Sequence, residues 1–158
     1  VKPRIETISP KKLIGKRLTM NLVNDKTGEL WQNFMPKKKD IANKLSNEVI
    51  SMQVYSSTYF SDFKPTNEFE KWATVEVANF ENLQSEMEEF TLSGGLYAVF
   101  DYIGLSNDSS IFQYIYGTWL PNSDYDLDDR PHFEILGEKY KNNDPTSEEE
   151  IWIPIKAK

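Results

Sequence analysis

Two stretches of the chain repeat one pattern. Leu30, Trp31, Phe34 and Met35 precede Pro36, and 85 residues later Ile115, Tyr116, Trp119 and Leu120 precede Pro121. The spacing i, i+1, i+4, i+5 puts four apolar side chains on one helical face, so each stretch reads as a helix docked on a core. Thr27 is the expected N-cap of the first helix. Ser110 with Gln113 reads as a capping box opening the second. Each proline marks the expected stop.

Strand-like runs flank both helices in the same order. Leu13 to Val23 precedes the first and Phe90 to Ile103 the second, each with glycine near its start. Glu48 to Tyr55 and Trp72 to Val77 follow the first helix; Pro131 to Leu136 and Glu150 to Ile155 follow the second. Ser56 to Glu70 and Gly137 to Glu149 are polar and read as connections. The expectation is one domain over residues 1–158, built of two pseudo-repeated β-α-β-β units at about 1–80 and 81–158. Such units imply an α+β fold: a curved, mainly antiparallel sheet with two helices on one face and a ligand groove on the other.

Composition removes much of common enzyme chemistry. With no cysteine and one histidine among 158 residues, disulfides, thiolate zinc sites, iron–sulfur clusters and multi-histidine metal sites are excluded. No cofactor is expected. The run Asn122, Asp124, Asp126, Asp128 resembles the start of a calcium loop but lacks its glycine and its closing glutamate, so it reads as an acidic loop. Gly94 and Gly95 precede a strand and not a helix, so they form no phosphate cradle. Residues 1–44 carry eleven Lys/Arg against four Asp/Glu, and residues 45–158 carry seven against twenty-one. The larger, acidic part repels nucleic acid, and direct nucleic-acid binding is not expected. With neither an apolar span nor a signal peptide in view, the expected setting is bacterial cytoplasm, with no membrane.

Alternation along the strands assigns faces. Phe133 and Ile135 are expected toward the helices, which sends His132, Glu134 and Leu136 to the free face. Met52 and Val54 likewise point inward, while Gln53 and Tyr55 point away, making Gln53 the pseudo-symmetric partner of Glu134. A carboxylate among rings suits a flat, apolar cation, by charge pairing and cation–π contact. Trp72, Tyr97, Tyr102 and Trp152 are the candidate rings. His132 has no nucleophile or metal partner in sequence and reads as a partly exposed strand histidine.

Four segments carry a family likeness. Gly94-Gly95-Leu-Tyr97-Ala98-Val99-Phe100, Tyr114-Ile-Tyr116-Gly-Thr-Trp119-Leu120-Pro121-Asn122-Ser123, Arg130-Pro131-His-Phe133-Glu134 and Ile151-Trp152-Ile153-Pro154-Ile155 resemble, in family order, the gyrase-inhibitor-like (GyrI-like) small-molecule-binding domain. That domain is also the effector-binding module of several AraC-type and MerR-type transcription regulators. The first half follows the family only in its repeat pattern. The resemblance implies two strand-helix-strand-strand units around a groove that often takes hydrophobic cations. It also implies a buried glutamate contacting the ligand, at the position of Glu134. No DNA-binding domain is visible in the chain, which likens it to stand-alone members.

Three functions follow. The leading one is capture of an amphipathic, cationic small molecule, as a sensor or a drug-sequestering protein. The second is hydrolysis of a small electrophile, with Glu134 as general base and a groove tyrosine polarising the substrate. The third is inhibition of DNA gyrase or another protein partner, which rests on fold analogy alone.

Overall fold

The computed structural model describes residues 2–158. Nine strands and two short helices follow in the order β1 (Arg4–Ile8), β2 (Lys11–Met20), α1 (Thr27–Phe34), β3 (Val49–Val54), β4 (Phe69–Val77), β5 (Glu88–Leu92), β6 (Gly95–Ile103), α2 (Ser110–Tyr114), β7 (Tyr125–Leu127), β8 (His132–Leu136) and β9 (Glu148–Ala157). A 3-10 turn at Met35–Asp40 extends α1, with Pro36 inside it rather than ending it, and a π-helical turn at Ile115–Trp119 extends α2. None of the described helices is long and apolar enough to cross a membrane.

The sheet is antiparallel throughout, in the order β1-β6-β9-β8-β3-β4-β2-β5, with β7 added to β9. This order is a palindrome of the two repeats. Met52 lies opposite Phe133, with Trp72 beyond Met52 and Trp152 beyond Phe133, so the pseudo-twofold axis passes through the Met52–Phe133 pair. It exchanges Gln53 with Glu134 and Trp72 with Trp152. The edge strands are exchanged between halves: β1 pairs with β6 and β5 with β2.

That exchange forces the sheet to curl. β1 and β2 lie six strand spacings apart in the order, about 29 Å in a flat sheet. Ser9 and Pro10, which join them, span only about 10 Å. Ser93 and Gly94 make the equivalent connection from β5 to β6, splitting the single strand expected over Phe90 to Ile103. The two connections touch: a Cβ on Gly94 would lie 2.4 Å from the Ile8 carbonyl oxygen. β1 itself was legible as alternation in Arg-Ile-Glu-Thr-Ile, although no strand was expected there.

Curling closes the face that lacks helices. Leu13, Met52, Trp72, Leu92, Tyr97, Val99, Phe133 and Trp152, from both ends of the strand order, pack there into one core. The other face carries three further cores, the smallest of Met20, Tyr59 and Phe69. Leu30 and Phe34 pack with Ile14, Val49, Ala73 and Val75, while Ile111 and Ile115 pack with Ala98, Phe100, Ile151 and Ile153. The helices therefore cover Val49 and Ile151, which share a face with Ser51, Gln53 and Glu134. Strand phase separated the residues as expected, but the helices sit on the polar side. Gln53, His132 and Glu134 lie beneath and between them, and Met52 and Phe133 point away. The rings expected to line a groove on the helix-free face are core residues, buried there by the curl.

The helix starts also differ in detail from expectation. Thr27 and Ser110 are the first helical residues, after Lys26 and Ser109, and an aspartate two residues upstream accepts from each of their N–H groups, Asp25 from Thr27 N at 2.8 Å and Asp108 from Ser110 N at 2.9 Å. Gln113 Nε2 donates to Ser109 Oγ at 3.1 Å. The repeat extends to these aspartates.

Candidate functional site

The site begins with the two central strands. Between the helix-packed outer strands, β3 and β8 present Ser51, Gln53, His132 and Glu134 in two adjacent rows, Ser51 opposite Glu134 and Gln53 opposite His132. Gln53 Nε2 donates to Glu134 Oε1 at 3.2 Å and lies 3.4 Å from Ser51 Oγ. The two pseudo-symmetric positions thus meet in a direct hydrogen bond. One carries an amide and the other a carboxylate, so the repeat places a single charge next to its own axis.

Rings roof one end of this polar floor. Phe60 stacks on His132 with centroids 5.3 Å apart and planes at 18°, and Tyr55 meets His132 edge-on at 4.9 Å. Tyr116 shares a 3.1 Å hydrogen bond with His132 Nδ1 through its hydroxyl and lies 5.3 Å from Phe60. Tyr116 matches Trp31 in the repeat, yet it reaches over the groove. Phe60 arrives on the connection between β3 and β4, anchored by buried Tyr59 and by Asn67 Nδ2 donating to the Tyr59 and Asp62 carbonyls.

Burial dominates the electrostatics. It raises the Glu134 carboxyl above its usual value, an effect opposed by the nearby Lys71 ammonium and the Gln53 hydrogen bond. Glu149, on the same face of β9, is pushed up to about 7 by burial and by the charge of Glu134, with Lys71 again opposing. His132 is pushed down to about 3, first by burial and then by Arg130, and is neutral at physiological pH. Tyr55 and Tyr116 are raised by burial and by the field of Glu134, so both keep their hydroxyl protons. This polar floor and its roof therefore offer carboxylates, neutral donors and π faces.

The candidates named from sequence divide between the two faces. Gln53 and Glu134 meet on the helix-covered face. Trp72, Tyr97 and Trp152 lie in the core on the opposite face, at 3%, 0% and 6% exposure. Both indoles donate to a glutamate two residues upstream, Trp72 to Glu70 at 3.4 Å and Trp152 to Glu150 at 3.1 Å. The Tyr97 hydroxyl donates to the Pro131 carbonyl at 2.8 Å, under the Arg130 guanidinium. Tyr102 is on the helix side but at the edge of the α2 core, its hydroxyl donating to Leu105 O at 2.7 Å. Sequence reasoning did not single out as site residues Phe60, Tyr116, Lys71 and Glu149, which lie around or share a face with this polar floor. The aromatic pair Tyr59-Phe60 inside an otherwise polar connection was the available signal for the roof.

Arg130 holds the β8 end of this arrangement. Its Nη2 donates to the Leu96 and Ile155 carbonyls at 2.6 and 3.0 Å, and its Nε pairs with Asp128 at 2.7 Å. Gly95, at φ 141°, leaves room for the guanidinium: a Cβ there would lie 2.5 Å from Nη1. The Arg130-Pro131 segment thus fixes the strand that carries Glu134.

A polar floor between two pseudo-symmetric helices is the geometry against which the relatives can be read. The family model for integron-associated effector-binding proteins, Cass2, matches residues 4–155. The chain belongs to this family. The transcriptional regulator BrlR of Pseudomonas aeruginosa is 27% identical over 145 residues, covering 90% of this chain and 51% of BrlR, so the chain spans about half the length of that relative. SAV2435 bound to tetraphenylphosphonium superposes with a TM-score of 0.70 at 17% identity, covering 99% of this chain and 94% of that one. The C-terminal domain of EcmrR gives 0.71 at 13% identity over 99% and 98% of the two chains. A hydrolase encoded by lin2189 from Listeria innocua gives 0.61 at 11% identity over 98% and 92%. These structures share the fold. The Cass2-family chain is a GyrI-like effector-binding domain, and its family is one of small-molecule binders.

Proposed function

We propose that this domain binds an amphipathic organic cation in the groove between α1 and α2, with Glu134 as the charge-selecting residue and Tyr55, Phe60 and Tyr116 as the surrounding rings. One observation carries the reading: a recessed carboxylate whose sole hydrogen-bond partner among the described residues is Gln53, with its field reaching the hydroxyls of Tyr55 and Tyr116. A desolvated carboxylate gains from a cation that also satisfies π faces, and a neutral ligand of the same shape lacks that gain. The cation held by SAV2435 is of this chemical class. Nucleic acid is not the ligand of this unit, because the groove and the larger part of the chain are acidic. In a regulator such as BrlR the corresponding half would act as the sensing module.

Calorimetric titration with tetraphenylphosphonium and with neutral triphenylphosphine oxide tests the reading. The cation is expected to bind the wild type and to bind Glu134→Gln at least about tenfold more weakly. Equal binding of both probes by the wild type would overturn the role of Glu134.

The raised Glu134 carboxyl, with two protonated tyrosines in its field, also favours a second reading as a general base for hydrolysis of a small electrophile. Glu134→Gln would then abolish turnover while a neutral substrate still bound. A substrate panel without product at any pH between 5 and 9 would dispose of it.

A further inference from the structure

We propose that Lys71 is a resident counter-charge of the groove, which competes with a cationic ligand for Glu134 and sets the site to accept one positive charge. This rests on the ligand site proposed above. Lys71 stands on β4 in the row Lys71, Gln53, His132 across β4, β3 and β8, so its side chain leaves the sheet on the same face as Glu134. Its field reaches Glu134 and Glu149, and also Asp25, whose carboxylate is already held by Thr27.

The pseudo-twofold makes these charges stand out. Gln53 and Glu134 are mates, but the mate of Lys71 is Ile151, and the mate of Glu149 is Phe69. The repeat alone would have put apolar residues at both positions, so one half carries a cation and the other an added anion, directed at one groove. None of Lys71, Glu134 and Glu149 is joined in an ion pair among the described residues. Elsewhere on the sheet, by contrast, Arg4 and Arg17 each reach two or more carboxylates. An ammonium on a flexible four-carbon stem, with no ion pair among the described residues, can withdraw from Glu134 when a ligand takes that carboxylate. Above the pH at which Glu149 titrates, with both carboxylates ionised, the two carboxylates and one ammonium sum to one negative charge. A monocation brings the groove to neutrality, and a dication overshoots it.

Titration of wild type and Lys71→Met with tetraphenylphosphonium and with the dication 1,1′-dibenzyl-4,4′-bipyridinium tests this. Lys71→Met is expected to tighten the monocation about tenfold, and the dication by more, shifting preference toward the dication. Lys71→Arg is expected to behave as wild type, and the gain should vanish in Lys71→Met/Glu134→Gln. Unchanged or weaker monocation binding by folded Lys71→Met would overturn the proposal. A second readout is independent of any ligand: carboxyl-carbon NMR should show the Glu134 and Glu149 titrations moving to higher pH in Lys71→Met. If neither probe binds the wild type, the ligand-site reading fails, and this titration still decides the role of Lys71. Titrations that stay in place would refute it.

Discussion

Trp72, Tyr97, Phe133 and Trp152 lie on one face of the sheet, and Tyr55, Phe60, Tyr116 and His132 gather on the other. The first set is enclosed by the curl, with each polar ring atom spent on a structural partner: the indoles on Glu70 and Glu150, the phenol on Pro131 O. The second set lies beside Glu134, on the face that also carries Lys71 and Glu149, and among the described residues no ion pair neutralises these three charges. Ring content is therefore no guide to where the site lies. The guide is charge that burial has made expensive and that the fold has left unpaired.

The contrast is sharpest under truncation. Phe133→Ala removes a fully buried ring stacked on Trp152 at 5.2 Å and is expected to cost about 3–5 kcal/mol of stability. Urea denaturation would measure it, and a loss below about 1 kcal/mol would mean that this face is not the main core. Glu134→Gln, one residue along the strand, should leave the urea midpoint at pH 7 unchanged or raised. Its effect belongs to cation affinity, as set out above.

A pH series separates the faces further. The Glu149 carboxyl is pushed up to about 7 from its usual 4.5, so across that window the folded state binds more protons than the unfolded chain. Stability should therefore fall as pH rises from about 4.5 to 7, by about 1 kcal/mol after allowance for partial exposure. Glu149→Gln should flatten that slope, as followed by melting temperature. A slope that survives the substitution would assign it to another group. The smallest effect is expected for Phe60→Ala: stability within about 1 kcal/mol of wild type and cation affinity reduced about three- to tenfold. No change in affinity would remove the connection between β3 and β4 from the site.

The limits of sequence reading show at particular residues. Gln53 and Glu134 were recognisable as mates because strand alternation and the 85-residue echo are both local patterns, and the two side chains do touch. Trp72, Tyr97 and Trp152 were misplaced into a groove because alternation separates two faces without saying which one the helices cover. Lys71 and Glu149 sit far apart in sequence on β4 and β9, and nothing local hints that both look into one space.

The sequence by itself determined the duplicated order of elements, the two helix faces and the pairing of Gln53 with Glu134, since each rests on periodicity within a few residues. Only the tertiary structure decided which face stays open. Two connections of two residues each, crossing between halves, curl the sheet around the helix-free face and seal its rings inside. The polar residues of the central strands are left between the helices, because the depth of a groove depends on how distant strands close, and that is set by chain crossing rather than by any residue's own preference.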